Sequence, residues 1–220
     1  MRLDSFWIFK YFLDMDQNNF IITINRESGT GGREIAQQLG DILGVKVYDK
    51  ALLDTIMGQM NVPADELTKD KNWWDNFLSL YRKFSNAKEF DFKEKVTSKA
   101  IYLQQEKLLR EIGERESCII LGRTGFHIFK DYPNNLKVFL VADLEARVKR
   151  VCQTMEVNPK EARRFIEEVD NTREEYTKKY TGVSRYDARN YDFVMNVSNI
   201  PPHLVAVFLA QNIRLKFKKD

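Results

Sequence analysis

Short β-branched runs alternate with longer amphipathic segments along most of the chain. The run at 21–24 predicts a first strand, and apolar residues at 35, 36, 39, 42 and 43 predict the helix that follows it. Further strands are expected at 45–48, 118–121, 136–141 and 191–197. Helices are expected near 50–60, 73–81 and 94–115, from about 143 onward, and at 159–179 and 201–216. Strands that alternate with helices are typical of an α/β fold, here with a five-stranded parallel sheet between two helical layers.

Residues 1–19 form an aromatic cluster interrupted by Lys10 and lack the long uncharged core of a signal peptide. We expect this N-terminal extension to be an extra helix or strand packed on the domain, with an added or mis-assigned start as the alternative. The remaining residues, 20–220, are enough for one α/β domain with a core of its own.

Composition narrows the function classes. The chain has 220 residues with 35 basic and 32 acidic side chains, a net charge of +3, which predicts binding neither to nucleic acid nor to a membrane surface. No apolar run approaches the ~18 residues of a membrane helix. Cys118 on a predicted strand and Cys152 on a predicted helix favour free thiols in a reducing, cytoplasmic compartment. His127 and His203 are too far apart in sequence for a metal-ligand pair.

A glycine-rich segment at 28–32 separates the first strand from the first helix. Glycines at such a junction let backbone N–H groups point into one concavity, and the helix dipole adds positive potential there. The segment therefore predicts a site for a phosphate chain, with a simple tight turn as the alternative.

The segment departs from the Walker A motif. Aligned on Gly31, the lysine of the motif is Gly32, its magnesium-binding hydroxyl is Arg33, and its first glycine is Arg26. Phosphoryl transfer still requires positive charge at the β- and γ-phosphates. Arg26 and Arg33 flank the loop and can supply that charge, as can an arginine from elsewhere in the chain.

The carboxyl ends of parallel strands meet at one edge of a sheet, where ligands collect. The residues that follow the predicted strands are therefore expected to converge, although they are scattered in sequence. They are the 28–32 loop, Asp49 and Lys50, Gly122 and Arg123, and Asp143 with Arg147 and Arg150 further on. Together they carry the phosphate-binding and carboxylate groups that a kinase needs.

The segments 22–36 (ITINRESGTGGREIA) and 47–53 (VYDKALL) resemble the cytidylate kinase-like family, a branch of the nucleoside monophosphate kinases with glycine and arginine in place of the P-loop lysine and serine. Segments 119–123, 136–142 and 191–196 are similar to the family as well. The resemblance implies a three-layer P-loop NTPase fold, with a helical acceptor-binding insertion at 51–117 and a lid at 144–185. It also implies ATP and Mg²⁺, and phosphoryl transfer to a small nucleotide such as CMP.

The resemblance also implies site residues. Asp49 and Arg123 would contact the acceptor, and Asp170 and Arg173 match an Asp-x-x-Arg element that cytidylate kinases use against the base and phosphate. The residues expected at the phosphates of ATP are Arg26, Ser28, Gly29, Thr30, Gly31, Gly32 and Arg33. Those expected to stabilise the transferred group are Arg33, Arg147 and Arg150.

Several roles have alternatives. Asp49 can instead cap the following helix. Most charges at 159–179, Arg163 and Arg164 included, suit a solvated helix with ion pairs four residues apart. Trp73 and Trp74 suit core packing or a base pocket. Magnesium ligands remain open between Ser28, Thr30 and a water-bridged Asp143.

This chain differs from the pattern of classical cytidylate kinases at two positions. Thr124 replaces an aspartate, and Ile166 replaces an arginine for which Arg185 or Arg189 can substitute. The missing Walker lysine and serine suit a non-catalytic nucleotide sensor with a degenerate loop as an alternative function. The weak resemblance over 51–117 suits another alternative, a kinase of a different small acceptor. Nothing in the sequence indicates an oligomeric state.

Overall fold

The computed structural model describes residues 19–50, 53 and 99–217. Almost all of the N-terminal extension, most of the predicted insertion at 51–117, and Trp73 and Trp74 lie outside the described residues. The predicted helices at 50–60 and 73–81 lie largely or wholly outside them too.

The described residues form five strands with helices between them. In chain order these are β1 (Ile21–Arg26), α1 (Gly32–Leu43), β2 (Lys46–Tyr48), α2 (Lys99–Arg115), β3 (Cys118–Leu121), α3 (Gly125–Ile128), β4 (Asn135–Val141), α4 (Leu144–Met155), α5 (Pro159–Thr181), β5 (Phe193–Asn196) and α6 (Pro202–Phe217). A short 3-10 turn, Ala188–Asn190, precedes β5.

All five described strands are parallel and lie in the order β2-β3-β1-β4-β5, which confirms the predicted sheet. The central strand β1 pairs with β3 on one side, where Ile24 is opposite Leu121, and with β4 on the other, where Arg26 is opposite Leu140. The loops after β1, β3 and β4 therefore leave the sheet at the same edge.

Alternating side chains of β1 build the two faces of the sheet. Ile22 and Ile24 pack into a core formed with α1 and α6, whereas Ile21 packs with residues of α2 on the opposite face. All three isoleucines are fully buried, and each such side chain contributes roughly 1.5–3 kcal/mol relative to exposure. The result is the predicted three-layer arrangement of helices, sheet and helices.

Helices α4 and α5 share a smaller apolar cluster of their own, which includes Val148, Val151, Phe165 and Ile166. Helix α5 begins with a capping box, because Asn158 accepts the N–H of Glu161 while the Glu161 carboxylate accepts the N–H of Asn158. The helix pair lies within the region 144–185 predicted as a lid. Across the described residues, no helix has the length and apolar character needed to span a membrane.

Element boundaries differ from expectation at the last strand, predicted at 191–197. Strand β5 begins at Phe193 because the Asp192 carboxylate accepts the N–H of Lys137, at 2.7 Å, a position that a backbone carbonyl would take in a longer strand. Helix α3 and the 3-10 turn were not predicted, since both are too short to carry a periodic pattern.

Candidate functional site

The glycine-rich loop joins the carboxyl end of β1 to the first turn of α1 and borders an open cleft of about 470 Å³. We call this the loop cleft. The described residues that line it are Arg26, Glu27, Ser28, Gly29, Thr30, Gly31, Gly32, Arg33, Asp49, Leu121, Arg150 and Arg173. Sequence reasoning singled out all of them except Glu27 and Leu121.

Two glycines shape the loop because their backbone is left-handed, with φ of +83° at Gly29 and +74° at Gly31. A Cβ at Gly29 would lie 2.9 Å from the carbonyl oxygen of Arg147, and one at Gly31 would lie 2.9 Å from Nη1 of Arg150. The loop therefore packs directly against α4, and the predicted transition-state residues Arg147 and Arg150 are both beside it.

Arg33 and Asp49 form an ion pair across the cleft, from the first turn of α1 to the residue after β2. The Asp49 carbonyl oxygen also accepts the N–H of Leu53 at 3.1 Å, which is the spacing of a helical turn. Asp49 thus lies both in the cleft and at the start of a helical turn. Its carboxylate binds Arg33.

Asp170, on α5, connects three elements of the site. Its Oδ1 accepts the backbone N–H of Ser28 at 2.8 Å, and its Oδ2 accepts a hydrogen bond from Nη1 of Arg147 at 2.6 Å. The Arg147 Nε lies 3.7 Å from the carboxylate of Glu27. Asp170 is 7% exposed, so these contacts are shielded from water. The carboxylate therefore ties α5 to the loop and to α4.

Glu27 is a second carboxylate in the loop. It accepts the N–H of Ala142 at 3.1 Å, which joins the loop to the end of β4. Arg150 lies 3.6 Å from Glu34 of α1. Each of the arginines expected to stabilise the transferred group, Arg33 included, thus has a carboxylate within ion-pair distance.

Few oxygen atoms in this region are placed to act as ligands of a magnesium ion. The Thr30 hydroxyl donates to the Glu27 carbonyl oxygen at 2.9 Å and keeps its lone pairs. Asp143 is not among the described residues lining the cleft, and its carboxylate accepts a hydrogen bond from Asn196 instead. Within the described ranges, no group of three or more His, Cys, Asp or Glu side chains is arranged to hold a metal.

A smaller cavity of about 250 Å³ lies behind the loop cleft, and we call it the inner cavity. Arg26 and Arg173 line both spaces. The described residues around it are Asn25, Arg26, Gly122, Arg123, Thr124, Phe126, Arg173, Tyr176, Thr177 and Arg185. Arg123, predicted to contact the acceptor, is here, whereas Asp170 lines neither space among the described residues.

The loop after β3 has an uncommon backbone. Gly122, Arg123 and Thr124 are consecutively left-handed, with φ of +79°, +54° and +52°. For the two non-glycine residues this costs roughly 1–2 kcal/mol each. The Thr124 hydroxyl lies 3.4 Å from the hydroxyl of Tyr102 on α2. The turn directs the Arg123 side chain inward, where it is 3% exposed.

Arg185 is the least exposed charged residue of the site, at 1%. Its Nη2 donates to Oδ1 of Asn25 at 3.2 Å and to the carbonyl oxygen of Arg26. Tyr191 fixes this arrangement, since its hydroxyl accepts from Nδ2 of Asn25 and donates to the carbonyl oxygen of Arg185, both at 2.7 Å. Burial raises the pKa of Tyr191 to about 12.

The other predicted arginines lie outside both spaces. Arg163 pairs with Glu145, and Arg164 pairs with Glu168 at 2.8 Å with its side chain 82% exposed. Arg189 pairs with Asp187 at 2.7 Å on the surface. Of the two arginines named as substitutes for the one missing at Ile166, only Arg185 lines the inner cavity in the described structure.

Residues 21–199 match the model of the cytidylate kinase-like family, a range that includes both spaces. The chain belongs to the cytidylate kinase-like family. A cytidylate kinase from Thermoplasma acidophilum is 22% identical over 201 residues, which cover 90% of this chain and 95% of that protein. A crystal structure of an uncharacterized protein from Eubacterium ventriosum has a TM-score of 0.68 and 24% identity, and it covers 89% of this chain and 98% of that one. That likeness shows the shared fold.

Membership of this family indicates nucleotide-dependent phosphoryl transfer as the general class of activity. Sequence reasoning did not assign Glu27, Asn25 or Tyr191 to the site. Glu27 could have been found from its place between Arg26 and Ser28 in the loop. Asn25 and Tyr191 carried no comparable signal, because their hydrogen bond joins residues 166 positions apart.

Proposed function

We propose that this member of the cytidylate kinase-like family transfers the γ-phosphate of Mg²⁺-ATP to a nucleoside monophosphate such as CMP. The observation that carries the proposal is the side-by-side arrangement of two arginine-lined spaces that share Arg26 and Arg173. Transfer between two phosphorylated substrates requires their phosphates to be held next to each other, and catalysis then depends mainly on positioning and charge.

The loop cleft is the proposed site of the ATP phosphates. The left-handed Gly31 keeps the approach beside Arg150 free of a side chain, whereas Gly29 lets the loop pack against the backbone of α4. Arg26 and Arg33 border the loop and would supply the positive charge that a lysine supplies in Walker A proteins. Arg33 would exchange its contact with Asp49 for a phosphate oxygen.

Arg147 and Arg150 are the proposed stabilisers of the transferred group. They are on consecutive turns of α4, whose residues contact Gly29 and Gly31. Guanidinium groups suit this role because several N–H donors form a fork that matches phosphate oxygens. Both arginines already lie near carboxylates, so a phosphate chain would compete with Asp170 and Glu34 for their N–H donors.

The oxygen ligands that the cleft offers fit the way in which enzymes usually bind Mg²⁺. Mg²⁺ is generally held by one or two carboxylates together with substrate phosphates and water. Glu27, with the hydroxyls of Ser28 and Thr30, offers oxygen atoms on the cleft wall and would hold the ion. When bound, Mg²⁺ neutralises charge on the phosphate oxygens that it contacts.

The inner cavity is the proposed site of the acceptor phosphate. Arg123 lines it at the end of β3, and Arg173 reaches it from α5. Asp49 follows β2 and lines the loop cleft, and we propose that it contacts the part of the acceptor that extends there. Asp170 was expected to contact the acceptor, but in the structure its carboxylate binds Ser28 and Arg147. We therefore propose that Asp170 positions the loop.

A second candidate function is a nucleotide sensor without turnover. The observation that favours it is the ion pair between Arg33 and Asp49, which occupies the arginine at the magnesium-hydroxyl position of the loop. A sensor would bind ATP at the loop cleft and release no ADP.

The test is ADP release from Mg²⁺-ATP with CMP, dCMP, UMP, AMP, GMP or no acceptor. We expect release that depends on one of the monophosphates, CMP or dCMP foremost. An Arg164→Gln variant, changed at an exposed arginine, serves as the control and should retain the rate. ATP binding by calorimetry without ADP release would favour the sensor, and absence of both binding and release would refute phosphoryl transfer.

A further inference from the structure

Arg185 is 1% exposed, and part of its guanidinium has no partner in the described structure. Its Nη2 makes two hydrogen bonds, to the Asn25 side chain and to the Arg26 carbonyl oxygen. The Nε and Nη1 atoms are also buried, yet they have no hydrogen-bond partner among the described residues. A buried cationic donor without an acceptor is costly, because the charged group has lost its hydration. The structure therefore contains donor groups without a visible acceptor.

These donors belong to a side chain that lines the inner cavity. Arg26, Arg123 and Arg173 line the same cavity, and none of the described lining residues is Asp or Glu. The four arginines offer hydrogen-bond donors only, because a guanidinium has no acceptor atom. A small anion with several acceptor oxygens is the chemical group that such a lining suits.

The narrowness of the cavity indicates which part of a ligand would reach it. The space between the lining side chains is small and opens to solvent, so only an end group would enter, while the rest of the molecule extends away. Because Arg26 and Arg173 also line the loop cleft, an anion here would lie beside the proposed ATP phosphates.

We propose that Arg185 binds the phosphate of the acceptor in the inner cavity, by donating a hydrogen bond from Nε or from Nη1. The inference rests on the proposed function and narrows it, since it makes a phosphomonoester dianion the group that identifies an acceptor. Nη2 holds the guanidinium in place through Asn25 and the Arg26 carbonyl, so the group is oriented before the ligand arrives.

Tyr191 and Asn25 support this placement. The Tyr191 hydroxyl connects the Asn25 amide to the Arg185 carbonyl oxygen. The rings of Phe139 and Tyr186 lie 5.7 Å and 5.5 Å from the Arg185 guanidinium carbon. These contacts restrict the side chain from several directions without using Nε or Nη1, which leaves both nitrogens available as donors.

The experiment measures binding of inorganic phosphate, and separately of CMP and cytidine, in the presence of Mg²⁺ and saturating non-hydrolysable ATP analogue. The analogue occupies the loop cleft, so that any phosphate detected binds elsewhere. Arg185→Gln should weaken phosphate and CMP binding at least tenfold, and Arg185→Lys should weaken it by a smaller factor. Arg189→Gln, at the exposed arginine nearby, should bind like the wild type. Cytidine, without a phosphate, should bind all four proteins equally weakly.

Loss of Arg185 also removes the contact with the Arg26 carbonyl, so the variants could fail to fold. In that case a crystal structure of the wild type with phosphate is the test. A crystal of the wild-type protein with the ATP analogue and phosphate should show phosphate within hydrogen-bond distance of Nε or Nη1. Phosphate that binds the wild type elsewhere, does not bind it, or binds Arg185→Gln equally well overturns the proposal.

The two proposals fail in different ways. Arg185-dependent phosphate binding without ADP release for any acceptor would refute phosphoryl transfer and leave the anion site. ADP release by Arg185→Gln with an unchanged acceptor KM would support phosphoryl transfer. It would refute the proposal that Arg185 binds the acceptor.

Discussion

The loop cleft and the inner cavity are neighbours that share Arg26 and Arg173, but their charges are arranged differently. In the loop cleft, Glu27 and Asp49 are part of the wall, and Arg33 is already paired with Asp49. Arg147 and Arg150, which flank the loop, lie near Asp170 and Glu34. The described wall of the inner cavity contains no carboxylate, and its arginines are at most 9% exposed.

The difference indicates two ways of receiving a phosphate. In the loop cleft an incoming phosphate chain must displace carboxylates, so binding is an exchange of ion pairs, and the arginines are movable. In the inner cavity the donors are fixed by burial and by a left-handed turn, so an anion enters a preorganised site. Substitutions in the two spaces should therefore affect different substrates, and the predictions below start with the largest effect.

Gly31→Val should have the largest effect. The new side chain would need a left-handed backbone, and its Cβ would lie 2.9 Å from Nη1 of Arg150, within the space proposed for the phosphate chain. We expect ATP affinity, measured by calorimetry, to fall more than 100-fold. Gly44→Ala is the matched control, because Gly44 is also left-handed at φ +66° but a Cβ there meets no atom within 4 Å. Full ATP affinity in Gly31→Val would exclude the loop as the phosphate cradle.

Arg123→Ala should affect the inner cavity and therefore the acceptor. Loss of a charge-assisted contact with the acceptor phosphate costs roughly 1.5–3 kcal/mol, equivalent to a decrease of more than tenfold in kcat/KM for the acceptor. The KM for ATP should change little. Steady-state kinetics with each substrate varied in turn measure both. An unchanged acceptor KM would remove Arg123 from the acceptor site.

Asp170→Asn should produce a smaller effect, and on ATP. Asparagine keeps an oxygen for the Ser28 N–H but loses the charge that holds Arg147. We expect kcat/KM for ATP to fall about fivefold, which corresponds to roughly 1 kcal/mol, with the acceptor KM unchanged. The family resemblance gives the opposite expectation for this aspartate. A raised acceptor KM with unchanged ATP kinetics would therefore support the resemblance and contradict the positioning role.

Tyr191→Phe should change stability more than activity. Without the hydroxyl, the buried Asn25 amide loses its acceptor, and the free energy of unfolding should fall by about 1–3 kcal/mol at pH 7. The pKa of Tyr191 is about 12 in the folded protein, above its usual value of 10.0, so the wild-type contribution is complete below pH 10 and is lost as the pH rises towards 12.

The difference between wild type and Tyr191→Phe should therefore narrow above pH 10, by at most about 1.4 kcal/mol per pH unit. Urea unfolding of both proteins at pH 7, 10 and 11 measures it. Other tyrosines titrate in both proteins and cancel in the comparison. A difference that stays constant from pH 7 to 11 would mean that Tyr191 is not held neutral by the fold.

Sequence reasoning predicted the sheet well because its strands have local signals. The β-branched residues of β1 and the apolar run at Cys118–Leu121 are both fully buried, so selection for burial left few polar residues in them. Boundaries at β5 were less accurate, since Tyr191 and Asp192 act through side-chain hydrogen bonds that no periodicity reveals.

The loop cleft was predictable for a similar reason: its residues are contiguous, and the strand-end rule brings Asp49 to the same edge. The burial of Arg185 was harder to predict, because its segment is rich in charged residues and such segments are usually exposed. Arg189, four residues later, is indeed exposed. Its burial depends on Asn25, Phe139 and Tyr191 from three other parts of the chain. Contacts of that kind cannot be inferred from spacing.

The placement of the two cysteines has a practical consequence. Cys118 is buried in β3, and desolvation, with a smaller effect from the Glu116 charge, raises its pKa to about 12. At pH 8 roughly one molecule in ten thousand would carry the reactive thiolate there. Cys152 is half-buried on α4, two residues after Arg150. A maleimide dye should therefore label this helix alone, and its emission would report in real time whether the helix moves when nucleotide arrives.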